Sequence, residues 1–399
     1  MIDNRVGPPV RGEDFYGREA FVRLVSDKLR NGHILLAAPR RFGKTSVMYR
    51  LIDQPLWDYR IVHVDLEHMV EPAELLTRMI EQLARDNAFA KIIHGLSWLS
   101  QEAATRLRDS IEEVELFELR IKLKEHLRPH WQENGEELFR RVAASPSTLV
   151  FILDEFPMMI DRMARSQVHR QEARTLLRWL RAFRQRPDIT NVRFLIAGSI
   201  GIDRVLNELG EITAINDFEQ MRLESFSPPV AAMFLDALAQ ARNLDLTPPC
   251  KEKILQLIGV PVPYFIQILF SEVVKAQVQD DAPVTPERVE RIYRDKVLGV
   301  DCKTYFDHYY GRLRDYYQPR EERAVKRLLR ELATVGELTR DAAWQLYKEE
   351  IGQEVDLDPF NGLMTDLEND FYIRFDPDSR RYAFACKLLR DWWLRHYGL

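Results

Sequence analysis

The 399 residues carry 46% hydrophobic and 30% charged side chains with a formal net charge of −5, the composition of an ordinary globular chain of two or three domains. That balance excludes a global electrostatic pull toward nucleic acid, and no stretch approaches the ~20 apolar residues that span a bilayer. Cys250, Cys302 and Cys386 are too sparse for a disulfide framework or a metal-ligand spacing, and the first residues lack the apolar segment of a signal peptide, so the expected location is cytoplasmic.

Near the N-terminus Phe15, Tyr16 and Gly17 precede Phe21, Leu24, Val25 and Leu29 at helical spacing. Two aromatics and a glycine there supply either one wall of a base pocket or a hydrophobic staple at a helix start. The apolar run 34–37 predicts a buried strand. It turns through Pro39, Arg40, Arg41, Phe42 and Gly43 and enters a helix at Lys44, with Val47, Met48 and Leu51 on the apolar side. A strand, a tight loop and a helix opening on Gly43-Lys44-Thr45-Ser46 are the context of a phosphate-binding loop. Backbone N–H groups at the helix N-terminus, with its dipole, favour an anion. Gly43 admits the phosphates, Lys44 would reach the β- and γ-phosphates, and the Thr45 hydroxyl would hold Mg²⁺. The usual first glycine of the pattern is replaced by Ala38, whose Cβ restricts the loop entry.

Residues 60–67 predict a second strand ending in Asp65 and Glu67, and Pro72 opens a helix through Leu75, Met79, Ile80 and Leu83. The stretch 86–147 reads as an insertion of helical pieces closed by a helix at 135–142. Within it the run 114–123 alternates as a strand or an amphipathic helix. Residues 148–153 make a third buried strand followed at once by Asp154 and Glu155. Acids at the C-terminal end of a core strand lie where open α/β sheets bind ligands. Asp154 would hold Mg²⁺ through its water shell, and Glu155 would activate the attacking water. Paired with the upstream loop, these acids point to an NTPase.

A fourth strand over 191–197 ends in Gly198 and Ser199, where Ser199 either senses the γ-phosphate or caps the next helix. Between strands three and four, residues 161–187 hold eight arginines against Asp161 and Glu172. Arg170, Arg174, Arg178 and Arg181 share one helical face, and most of this charge reads as a solvated face covering the sheet. A fifth strand is predicted at 220–224.

From Pro228 onward the pattern is helical, at 230–242, 250–258, 263–278 and 288–298, with Thr285 as N-cap before Pro286. Helices at 321–334, 339–350 and 357–368, then a hairpin over 371–385 and a closing helix at 387–396, have the layout of a winged helix. Its third helix contains no Lys or Arg, carries Asp358, Asp366 and Glu368, and offers only Asn361 as a base contact. That is a poor reader of DNA and a better surface for a protein.

With these residues in place, the chain resembles the archaeal-type ATPase family, a STAND-clade relative of the origin-recognition ATPases within the AAA+ group. The resemblance is carried by Phe15-Tyr16-Gly17-Arg18-Glu19, by 39–46, 152–156, 197–199, 261–267, and by 382–393. It implies an α/β P-loop NTPase with a five-stranded parallel sheet, a helical lid and a C-terminal winged helix. The corresponding boundaries are 1–225 for the ATPase core with its 86–147 insertion, 226–300 for the lid and 301–399 for the winged helix. It implies that Gly17, Arg18 and the region of Pro263 embrace adenine and ribose. It also implies that Arg184 or Arg186 acts in trans on a neighbouring subunit's nucleotide. The lid shows no arginine where many AAA+ proteins carry a second sensor, and Arg40 and Arg41 are the charges available to replace it. The expected function is an ATP-hydrolysing, Mg²⁺-dependent molecular switch with slow turnover. ATP and ADP would set the lid and winged helix for a protein partner and for nucleotide-dependent homo-oligomerisation. The alternatives are a DNA-binding initiator or transposition-like loader, and a nucleotide-locked scaffold.

Overall fold

A computed structural model describes residues 2–110, 113–198, 201–280 and 282–398, folded as two compact units. The first comprises residues 20–38 and 50–223 and is built on a parallel sheet. Its strands are β1 (His33–Ala37), β2 (Arg60–Asp65), β3 (Leu149–Asp154), β4 (Val192–Gly198) and β5 (Phe218–Arg222), in the order β2-β3-β4-β1-β5. Every residue of β3 is buried, as a strand covered on both faces requires. Phe139, Phe151, Phe183 and Phe194 stack into the core on one side of it. The fifth strand starts two residues before the expected one, because Phe218 fills a buried position that the pattern 220–224 left out.

Among the described residues, the stretch between β2 and β3 holds helices and the turns that join them, with no strand, and its 114–123 run lies in the helix Glu113–Leu127. The closing helix spans Trp131–Ala143, one turn longer than expected at its start, because Trp131 is buried and packs edge-on against Trp179. These helices share one hydrophobic core with the helix Pro72–Arg85 and the sheet.

The second unit comprises residues 1–19, 39–49 and 224–399. It holds the loop 39–43, the start of the helix Lys44–Asp53, and the helices Pro228–Ala241, Pro248–Ile258, Pro263–Asp280, Pro286–Ile292 and Lys303–Tyr316. Proline opens these first four because its missing N–H is an orphan at a helix start. The Thr285 hydroxyl accepts from the Arg288 N–H at 3.3 Å, as expected of that cap. The helices Pro319–Val335, Arg340–Ile351 and Leu357–Asn369 follow, with a three-stranded antiparallel sheet of β6 (Glu337–Thr339), β7 (Ile373–Asp376) and β8 (Arg381–Phe384). The closing helix Lys387–Tyr397 buries Trp392 and Trp393 completely. No described helix is long and apolar enough to cross a membrane.

Candidate nucleotide site

Buried Ile34, Leu35 and Leu36 hold β1 in the sheet, and the chain leaves it at Ala37. The Ala38 N–H donates to the Gly198 carbonyl at 3.5 Å. Ala38 is absent from the positive-φ positions, so its Cβ is accommodated where the usual pattern has glycine. The left-handed angles come later, at Arg41 (φ 71°) and Gly43 (φ 94°). The Phe42 N–H closes the turn on the Pro39 carbonyl, and the Val47 N–H makes a helical bond to the Gly43 carbonyl at 3.0 Å. The amides of the first helical turn have no intrahelical acceptor. Lys44 beside them is buried to 7% exposure. Amides at a helix N-terminus beside a lysine have the chemistry to receive an anion.

Three loop side chains are engaged within the second unit. The Ser46 hydroxyl accepts from the Val10 N–H at 3.0 Å, so its side chain anchors the N-terminal segment. Arg41 donates to the Gly7 carbonyl at 3.0 Å and lies 4.8 Å from the Tyr264 ring centre. Phe42 meets Phe371 edge-on at 4.9 Å. Sequence spacing gave no signal for this last contact.

On the sheet, Asp154 pairs in register with Asp65. Register through β4 sets Asp154 level with Ala197, which pairs with Leu36. The acid therefore leaves the same sheet edge at which β1 ends, two strand spacings or about 10 Å away. The Asp154 carboxylate accepts from the Glu155 N–H at 3.0 Å. Glu155 sits in the left-handed region (φ 55°, ψ 29°) as N-cap of the helix Phe156–Arg165, a strain that clusters at functional sites. Gly198 has a packing reason: a Cβ there would lie 2.5 Å from Pro157 of that same helix. Ser199 lies outside the described residues.

Gly17 turns with φ 68°, and a Cβ on it would meet Val230 at 2.7 Å and Phe226 at 3.2 Å. The Arg18 guanidinium lies 4.7 Å from the Phe226 ring centre. Burial lowers its pKa to about 10 against the opposing pull of Glu224. Its Nε and Nη2 are buried without a protein partner among the described residues. The Phe226 N–H donates to the Pro261 carbonyl at 3.1 Å, which links this corner to the turn before Pro263. Gly17, Arg18 and the Pro263 region thus come together.

The trans-acting expectation fares differently. The Arg184 side chain is 2% exposed and paired with Asp217 at 2.9 Å, over the Phe218 ring. It is committed to its own unit, and reaching a second copy would require breaking that pair. Arg186 is one-third exposed and pairs with Asp188 and Glu136. The rest of the arginine-rich helix, Arg170–Arg184, also has structural work. Arg170 donates to the Glu208 carbonyl, Arg174 to the Leu209 carbonyl, and Arg178 to the Glu211 carboxylate. The face read as merely solvated instead binds the C-terminal end of the helix Ile202–Leu209, where cations suit the dipole. Asn361, the one base contact offered by its helix, accepts from Arg340 at 2.6 Å.

Residues 28–206 match the family model described as an AAA domain. The chain is similar to a Walker-type ATPase of Pyrococcus abyssi, at 17% identity over 98% of this chain and 99% of that one, with a TM-score of 0.60. It is also similar to the ORC2 protein of Aeropyrum pernix in its ADPNP–ADP complexes, at 10% identity over 96% and 92% of the two chains, with a TM-score of 0.53. Among curated proteins none matches. The fold is that of a P-loop AAA+ ATPase.

Proposed function

We propose that the protein is an Mg²⁺-dependent ATPase of slow turnover that acts as a nucleotide-controlled switch. One observation carries the reading: a single parallel sheet sends β1 into Gly43-Lys44-Thr45 and ends β3, two strands away, in Asp154-Glu155. Lys44 binds the β- and γ-phosphates, Thr45 and Asp154 hold the metal, and Glu155 activates water. Gly17, Arg18 and the Pro263 region hold the adenosine end, where the Arg18 N–H groups supply donors. ADPNP and ADP in the ORC2 relative support this choice of ligand. Residues 226–300 act as a lid and 301–399 as a winged helix of the STAND type, read by a protein partner. A DNA-loading role is the second reading, resting on the hairpin arginines Arg374, Arg380 and Arg381. The acidic Asp358, Asp366 and Glu368 on the helix Leu357–Asn369 oppose it.

The division of labour is tested by measuring nucleotide affinity and phosphate release in two variants. Glu155→Gln is expected to retain ATP binding and lose turnover by ~10²-fold or more, the usual effect of removing a positioned base. Asp154→Asn should weaken Mg²⁺-dependent binding. Equal loss of affinity in both variants would contradict the assigned roles.

A further inference from the structure

The helix Glu113–Leu127 carries apolar residues on two opposite sides. Leu116, Leu123 and Leu127 are buried and face the core. Val114, Phe117 and Ile121 recur at i, i+3 and i+7, which sets them on one stripe two turns long. They are 73%, 62% and 38% exposed. One apolar stripe is all that a helix needs to pack on its own domain, and the second points to solvent. The element that carries it is fixed. Arg120 and Arg128 clamp the helix and the turn after it to Glu81 and Glu71, each through two bonds of 2.7–2.8 Å.

The charges beside the stripe decide what fits it. Glu118 and Lys122 lie on one flank, one turn apart. Both are exposed, and neither has an ion pair among the described residues. Glu113 and Glu115 precede them, while Lys124 and Arg128 outnumber Glu125 after them. Lys124 and Arg128 also serve Glu74 and Glu71, yet keep 27% and 52% of their side chains exposed. The helix therefore runs from an acidic half to a basic one. A copy of it laid antiparallel brings each Glu118 opposite the Lys122 of the other copy. A parallel copy would set Glu118 beside Glu118, like charge against like.

We propose that this stripe is a contact surface for a second copy of the chain, the two helices packing antiparallel about a two-fold axis between Glu118 and Lys122. Phe117 of one copy lies beside Ile121 of the other, and two Glu118–Lys122 pairs flank them. Such a contact is isologous and closes at two copies. It differs from the head-to-tail contact that a trans-acting arginine needs, and it does not depend on the nucleotide reading. Three apolar side chains are far fewer than the roughly 20–30 residues a side of a stable interface, so the dimer is weak and reversible.

The test is sedimentation velocity of the full chain over a concentration series, without nucleotide. Wild type is expected to shift from monomer toward dimer as concentration rises. Phe117→Ser removes the central ring and is expected to abolish that shift. Glu118→Lys and Lys122→Glu each place like charges together and should weaken the dimer about tenfold or more. The double exchange Glu118→Lys/Lys122→Glu should restore it, since an antiparallel pair sees the same contact with its ends reversed. All three positions are exposed, so the variants are expected to keep the wild-type melting temperature. A wild-type chain that stays monomeric throughout, or assembles beyond two copies, overturns the proposal. So does a dimer that survives Phe117→Ser, or one that the double exchange fails to restore.

Discussion

Glu155 holds a left-handed backbone conformation that a non-glycine residue adopts at a cost of about 1–3 kcal/mol. Its position straight after Asp154 was legible in the sequence; its strain was not, since adjacent acids do not reveal a backbone angle. Gly17 shows the same division. Its place in an aromatic loop was visible, while its reason is a φ of 68° and the nearness of Val230 and Phe226. Gly17→Ala should destabilise the second unit by about 1–3 kcal/mol, measured by urea unfolding. Full stability in that variant would remove the packing argument. His33 provides a pH test. Its Nδ1 accepts from the Phe194 N–H at 3.1 Å, which requires the neutral ring. Burial, then Arg184, lowers its pKa from 6.5 to about 4. Below pH 6.5 the unfolded chain takes a proton that the folded chain refuses. Stability is therefore full above that pH and lost as pH falls toward 4, by up to about 3 kcal/mol. The lowered His308 adds to the loss with the same sign. His33→Gln keeps an acceptor and should flatten the dependence between pH 7 and 5 in urea titrations.

At the level of elements, the helix Glu113–Leu127 was the least legible because its apolar residues fit two periods. Leu116, Leu123 and Leu127 are buried at helical spacing, while Val114 and Phe117 stand exposed. Those exposed residues create the apparent alternation. Two carboxylates on the neighbouring helix region settle its position. Glu71 accepts both donors of Arg128 at 2.7 and 2.8 Å, and Glu81 accepts both donors of Arg120 at 2.8 Å. Long-range pairs of this kind leave no local sequence signal. Arg128 holds the Glu71 carboxyl below its ordinary value; Glu81 is lowered despite its burial, by Arg120 and Arg78. Both depressed groups contribute stability above pH 4.5 that is lost as pH falls through their folded values. The double variant Arg120→Ala/Arg128→Ala should raise amide exchange in this helix at pH 7 and cost about 2–4 kcal/mol. Unchanged exchange there would show that apolar packing alone holds it. The arginine-rich helix offers a second lesson. Its charge was plain, but its partners are carbonyls at the end of another helix and the carboxylates of Glu211 and Asp217 beyond it, a tertiary fact.

For the molecule as a whole, the individual strands and the helical C-terminal half followed from hydrophobic periods and proline positions, and the parallel sheet from the family resemblance. The grouping of the loop 39–49 with the C-terminal half in one compact unit did not, because Phe42–Phe371 and Arg41–Tyr264 join residues more than two hundred positions apart. That grouping is why a switch is the preferred reading over a catalytic core working alone. Against duplex DNA, the full chain is expected to show only weak, salt-sensitive association, since Arg374, Arg380 and Arg381 of the hairpin supply few phosphate contacts. Sequence-specific binding at physiological salt would promote the loader reading. The most direct test of the central claim is phosphate release from ATP by the purified chain, wild type beside Lys44→Ala, with and without Mg²⁺. Slow release that needs Mg²⁺ and disappears in Lys44→Ala is the predicted result. Release that persists unchanged in Lys44→Ala, or none from the wild type, would contradict it.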